Sequence, residues 1–324
     1  MSKATKIWLI VAAALVLVGG MIFAVTMSVI NWDFLSLDTS DYETNEYVIE
    51  EKFNDISFDI ETADVEFLLS EDDKIKVVCY EEENVKHNVK VEDKTLNITV
   101  DNQKKWYENI GVSFDTPTIT VYLPKSVNAP AGEYGSLTVK SNTGYFTVPE
   151  CYLFDNIDIN LSTGDVSCFA SCENECNITT STGCIETKSM SADSISLCTS
   201  TGEISAESIK CDDMYTKVST GRTYLSDVKC ENFTSEGTTG ELELDNVIAK
   251  SDMIINRSTG NVIFDDCDAS QVYIETSTGS VNGNFLSDKI FNADSSTGSI
   301  NVPTSTKGGL CEIHTDTGSI NIEK

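Results

Sequence analysis

Residues 161–190 read LSTGDVSCFASCENECNITTSTGCIETKSM, and the Ser-Thr-Gly triplet at 162–164 returns at 181–183. Thr-Gly pairs continue through the chain and place glycine at Gly144, Gly164, Gly183, Gly202, Gly221, Gly240, Gly260, Gly279, Gly298 and Gly318, always 19 or 20 residues apart. A catalytic loop is written once. Self-similarity at a short fixed period marks a stacked structural unit.

Counting each glycine as zero, the residue seven before it is Leu137, Ile157, Cys176, Ile195, Met214, Phe233, Met253, Val272, Phe291 or Cys311, all apolar. The columns at −5 (Val139, Ile159, Ile178, Leu197), +2 (Phe146, Val166, Ile185, Ile204) and +4 are mostly apolar as well, with polar exceptions at Thr216, Ser235 and Thr223. Alternation on both sides of the glycine is strand periodicity. Each repeat is therefore two short strands joined at a corner. A unit this small buries its apolar face only against its neighbours, so like strands pair in parallel from one repeat to the next. The expected fold is all-β, a parallel β-solenoid of ~19-residue turns, right-handed by analogy with parallel crossovers. Ten turns at ~4.8 Å give a rod about 50 Å long. The glycine belongs at the corner, where φ > 0 or close backbone approach excludes a Cβ. The preceding Ser and Thr are expected to stack into hydroxyl ladders. A flat ice- or glycan-binding ladder is the functional alternative.

Upstream, DISFDIETADVEFLLSE fits the template once, with Ile56, Phe58, Val65 and Phe67 in the apolar columns and Ala63 in place of glycine. Between Ser70 and Gly135 come further alternating runs, KIKVVCY, NVKVED, TLNITV and TITVYLP. These read as strands covering the end of the solenoid, because a terminal unit must be capped. The other end looks barer, and its final turn, GSINIEK, is a candidate edge for self-association. Glu323 and Lys324 blunting a short edge is the simpler reading.

Ile7–Ile30 contains no charge and suffices at ~1.5 Å per residue to cross a ~30 Å hydrocarbon layer. It reads as a transmembrane helix bracketed by Trp8 and Trp32, longer than the usual h-region of a signal peptide. Lys3 and Lys6 precede it and the acids follow it, which sets residues 31–324 outside the cytoplasm. The expected organisation is a tail at 1–6, an anchor at 7–30, a linker at 31–45, a first turn and β cap at 46–135, and the repeat solenoid at 136–324. The chain carries 52 acidic against 22 basic residues, a formal charge of −30. Such a surface repels nucleic acid and anionic headgroups. Acidic runs at 71–73, 81–83, 212–213 and 265–266 read as solvated exterior, since no EF-hand or RTX spacing accompanies them.

Of eleven cysteines, Cys176 and Cys311 stand in the −7 column, and Cys151 and Cys267 share the +7 column with Met190, Ile209, Val228, Val247 and Leu286. Most act as small hydrophobes. Cys168, Cys172 and Cys176 lack zinc-ribbon spacing and a nearby histidine. Cys211 and Cys230, both nine after a glycine and one turn apart, fall within disulfide reach and are expected to bridge in an oxidising medium. The only histidines are His87 and His314, and no hydrolase, zincin, P-loop or dinucleotide motif is present. No catalytic residue, cofactor or metal ligand is assigned. The enzyme alternative is a polysaccharide-cleaving solenoid, for which two carboxylates would suffice. Turns as uniform as these leave no loops to build its cleft.

FNDISFDIETADVEFLLSEDDKIKVV (53–78), TLNITV (95–100), TPTITVYLPKS (116–126) and the serial STG turns behind one anchor resemble the DUF4097 family of β-strand-repeat proteins, often called candidate adhesins. The match spans about residues 46–324. The resemblance implies a bacterial envelope protein with a solenoid ectodomain and transfers no active site. The cysteine load departs from it. Two function classes follow: a non-enzymatic, membrane-anchored surface protein that meets an envelope protein or glycan as adhesin or scaffold, or the ectodomain of an envelope-stress circuit with a membrane partner.

Overall fold

The computed structural model describes residues 2–33, 40–104, 115–124 and 134–323. The core of the expected linker and Lys324 lie outside them. Helix α1 (Lys3–Val29) is capped by Ser2, whose Oγ accepts the Thr5 N–H at 3.1 Å. It begins before the uncharged run because nothing in Ala4–Lys6 opposes a helix, and it is long and apolar enough to cross a membrane.

All else is strand. From Tyr134 to Phe285 the layers stack in sequence order. The strand Leu153–Thr163 pairs in parallel with Tyr134–Thr143 on one side and Glu175–Thr182 on the other, with Ile157 opposite Leu137 and Cys176. Val166 likewise lies between Phe146 and Ile185. The columns read from sequence are therefore rows of paired residues. Their side chains point into one continuous core: Leu137, Ile157, Cys176 and Ile195 are all fully buried.

At the corners, the backbone approaches too closely for a side chain. Gly164 has φ +133, and a Cβ there would lie 1.8 Å from the Gly144 carbonyl oxygen. Gly279 lacks the left-handed φ, yet a Cβ would still sit 2.0 Å from the Gly260 oxygen. The hydroxyls that secure the corner are not those of the STG pair, which are mostly exposed and form no side-chain hydrogen bond among the described residues. They come from buried threonines one place earlier. Thr180 Oγ1 donates to the Gly164 carbonyl at 3.1 Å, Thr199 to Gly183 at 3.0 Å and Thr315 to Gly279 at 2.9 Å. A buried position inside the corner lets the hydroxyl reach the preceding carbonyl, whereas the next two residues already face water. A second corner lies six residues after the glycine, where Ser189, Ser208, Asp227, Asn246 and Asp266 hold φ between 48 and 59. Short polar side chains tolerate this left-handed conformation best after glycine.

Both ends depart from sequence order. The first turn, β2 (Asp55–Thr62) and β3 (Asp64–Leu69), follows β1 (Tyr42–Ile49), which begins inside the expected linker. Beyond β3 run β4 (Ile75–Glu82), β5 (Val85–Glu92), β6 (Thr95–Asn102) and β7 (Thr118–Leu123). β6 and β7 pair in parallel with β2 and β3, forming an extra layer outside the first turn. Strands β5 and β4 then close it antiparallel, and β1 lies outside β4. Beneath the cap, Phe58, Phe67, Phe146, Tyr134, Tyr152 and Phe154 form a chain of ring contacts 5.6–6.3 Å apart. The Tyr152 hydroxyl donates to the Leu68 carbonyl at 2.8 Å, fixing the plug to β3.

The C-terminal turn mirrors this arrangement and corrects the expectation of a bare final turn. Gly309–Thr317 pairs with Gln271–Thr278 on one side and with Lys289–Thr297 on the other, and Ile320–Glu323 is likewise flanked by Val281–Phe285 and Ile300–Asn301. The last turn is tucked one layer inside, and the open edge belongs to residues 289–301. There the core columns lose their cover: Phe291 and Ala293 are half-buried, and Ile300 is 44% exposed. Leu286, expected in the +7 column, is 59% exposed because the register shifts and Phe285 takes the place opposite Cys267.

Candidate functional site

The flanks of the rod repeat side chains layer by layer. Lys188 and Glu207 (2.9 Å), Lys217 and Glu236 (2.9 Å), and Lys250 and Glu231 (3.2 Å) each join adjacent layers, and Arg222 pairs with Glu243 in the same way. The Glu236 carboxyl is held below its usual range by Lys217 and by the Tyr215 hydroxyl. Solvent screens these rungs, so they decorate the surface more than they hold it.

One flank is grooved. A depression of about 640 Å³ is lined by Cys172, Ala192, Cys211, Cys230 and Ile248 together with Lys210, Lys229, Lys250, Glu173, Asp193 and Asp212. Lys210 and Lys229 pair across adjacent layers, which brings Cys211 and Cys230 to the same place in successive turns. Both are free thiols here, buried, and pushed up to about 12 by that burial. Cys168, Cys172 and Cys176 are all buried, and Cys176 is pushed up by hydrogen bonding to Cys172 and by burial.

In the middle of the rod the core turns polar. Arg257 is 4% exposed, and its Nη2 donates to Ser235 Oγ at 2.8 Å and to Thr223 Oγ1 at 3.4 Å; Thr216 Oγ1 donates to Ser235 Oγ at 2.8 Å. Three polar exceptions in the apolar columns thus gather at one buried guanidinium, Thr223 and Ser235 by direct hydrogen bonds and Thr216 through Ser235. His314, by contrast, is surface-bound between Asp294 (3.3 Å) and Asp316 (3.4 Å).

Sequence reasoning missed a group in the cap. Cys79, Glu81 and His87 are all buried and offer a sulfur, a carboxylate oxygen and an imidazole nitrogen within 4.8 Å of one another. The available signal was Cys-x-Glu on one face of a strand with a histidine in the next strand, a pattern no zinc motif contains.

A family model described as Toastrack DUF4097 matches residues 53–205 and again 187–324. A solved "putative adhesin" from Parabacteroides merdae shares the fold at TM-score 0.51 and 12% identity, over 89% of this chain and 98% of that one. A second protein so named, from Parabacteroides distasonis, aligns at TM-score 0.47 and 12% identity over 87% of this chain and 98% of that one. No curated protein matches the chain. Matched over nearly the whole chain beyond residue 52, the chain belongs to the Toastrack DUF4097 family.

Proposed function

We propose that this chain is an anchored, extracytoplasmic protein without catalytic activity, whose rod meets a protein or glycan of the cell envelope. The observation that supports this reading is the uniformity of the stack. Between Tyr134 and Phe285 each layer repeats the same two strands and the same corner, with no inserted loop to wall a cleft. A surface that repeats every ~4.8 Å suits a partner met along a line or at an end, not a small substrate enclosed on several sides. Helix α1 supports the anchor, and Lys3 and Lys6 in its first turns, ahead of the uncharged run from Ile7, support a cytoplasmic N-terminus. The name borne by the Parabacteroides merdae protein points the same way.

The test is crosslinking of tagged full-length protein in its own cells, with mass spectrometry of captured proteins and sugar analysis of captured glycans. The reading expects a defined envelope protein or glycan above the level obtained with residues 1–45 fused to the same tag. Capture no greater than that control, or release of new reducing ends from wall polysaccharide by the purified protein, would overturn it. A membrane regulator among the captured proteins would assign the rod to a stress circuit.

A further inference from the structure

We propose that Cys79, Glu81 and His87 form a binding site for one zinc-class divalent cation that ties the cap hairpin together. Strands β4 and β5 are consecutive, yet they pair only at Glu82 and Val85. β4 then leaves to pair with β1 and β7, and β5 leaves to pair with β6. Backbone hydrogen bonds between the two strands therefore stop at the point where they splay apart. Cys79 and Glu81, two residues apart on β4, face inward at this opening, and His87 on β5 faces them.

Each partner of the carboxylate fixes its direction. Glu81 Oε2 accepts the His87 backbone N–H at 2.5 Å and lies 2.6 Å from His87 Nδ1, and Glu81 Oε1 accepts from Asn45 Nδ2 at 2.8 Å. The Tyr47 hydroxyl donates to the His87 carbonyl at 3.0 Å. Such outer contacts orient metal-ligating side chains in known sites. A Glu–His pair alone would leave Cys79 without a role. The inward positions before it on β4 are Ile75 and Val77, and either residue would fill the space at 79. A thiol facing a buried carboxylate is unfavourable as a thiolate and gains only when a cation sits between them.

Sulfur, nitrogen and oxygen in this number form the donor set of a borderline-soft, tetrahedral ion, with the fourth position left to water. Charge also closes: a thiolate and a carboxylate balance a dication beside a neutral imidazole. On binding, the thiol proton leaves to solvent, the proton that His87 Nδ1 donates to Glu81 shifts through solvent to Nε2 so that the imidazole stays neutral and its Nδ1 lone pair meets the ion, and no electron is transferred.

The experiment uses full-length protein in detergent, stripped of metal with a chelator and titrated with Co²⁺. One equivalent is expected to produce a thiolate-to-cobalt charge-transfer absorption and the visible bands of a tetrahedral site, both displaced by Zn²⁺ and unaffected by excess Mg²⁺. Cys79→Ser should leave the far-ultraviolet circular dichroism and thermal transition of the metal-free protein unchanged while abolishing the charge-transfer band. Asn45→Ala should weaken binding by about 10–100-fold. The absence of a band in the wild type, or a band that survives in Cys79→Ser and so arises from other thiols, overturns the proposal.

Discussion

Arg257 Nη2 donates to Ser235 Oγ at 2.8 Å inside the solenoid, in a core where almost every other side chain is apolar. Its Nε and Nη1 have no hydrogen-bond partner among the described residues. Burial alone draws the guanidinium down to about 10. Gly237, opposite Arg257 in the neighbouring strand, makes the room: a Cβ there would lie 1.7 Å from Nη1. An uncompensated buried charge is a cost, so Arg257→Met should raise stability by on the order of 1 kcal/mol. Gly237→Ala should destabilise the wild type by about 1–3 kcal/mol through overpacking, and far less in the Arg257→Met background. Urea denaturation of the four proteins measures the coupling. Additive effects would contradict this packing.

The thiols divide by burial. Cys184 is exposed, whereas Cys168, Cys267 and Cys311 are buried and pushed up to about 12, chiefly by burial. Iodoacetamide at pH 8 should label Cys184 in the native protein and leave those three untouched until denaturation, as read by peptide mass spectrometry.

A bridge between Cys211 and Cys230 is expected once the reduced protein meets an oxidising medium. The disulfide-linked peptide pair is the predicted product. Two alkylatable thiols at these positions after oxidation would refute it.

Alkaline pH should destabilise the reduced, metal-free protein. Cys79, Cys168, Cys211, Cys230, Cys267 and Cys311 are each raised to about 12 from an ordinary 9.0. Between those values the folded chain holds protons that the unfolded chain has lost. The contribution is therefore full below pH 9 and lost as pH rises toward 12. Thermal midpoints in reductant should fall across this window. Cys267→Ala and Cys311→Ala, at their own lower baseline, should flatten the decline.

Glycine substitutions should separate the corners from the helix. At Gly202 a Cβ would meet the Gly183 oxygen at 1.9 Å, and Gly202→Ala should cost about 3 kcal/mol or more. Gly19 in α1 has open space around it, so Gly19→Ala should leave the urea midpoint of the rod unchanged.

The solenoid was legible because parallel stacking puts like residues of successive repeats in register, so one period and one apolar column at −7 suffice. Less visible was the order of the layers. Phe291 and Cys311 occupy the same column, and a parallel ladder accepts either as the neighbour of Val272. Only the longer connection from Asn301 to Gly309 and the weak core residue Ala293 hint that the last turn folds back beneath the one before it. The second corner escaped notice because Ser189, Asp227 and Asn246 share a backbone conformation and not a residue type. Thr216, Ser235 and Thr223 looked like lapses in a pattern until Arg257 joined them. The cap cluster needed the structure, since Cys79 and His87 meet across a hairpin that opens immediately after its turn.

The central claim is a rod held outside the membrane by an uncleaved α1. The most direct test is a membrane-impermeant maleimide applied to intact cells, followed by mass spectrometry of the membrane fraction. The account predicts Cys184 labelled before lysis, on a chain that still carries Lys3 and Lys6. Labelling of Cys184 only after lysis, or recovery of the protein in the medium without α1, would contradict it.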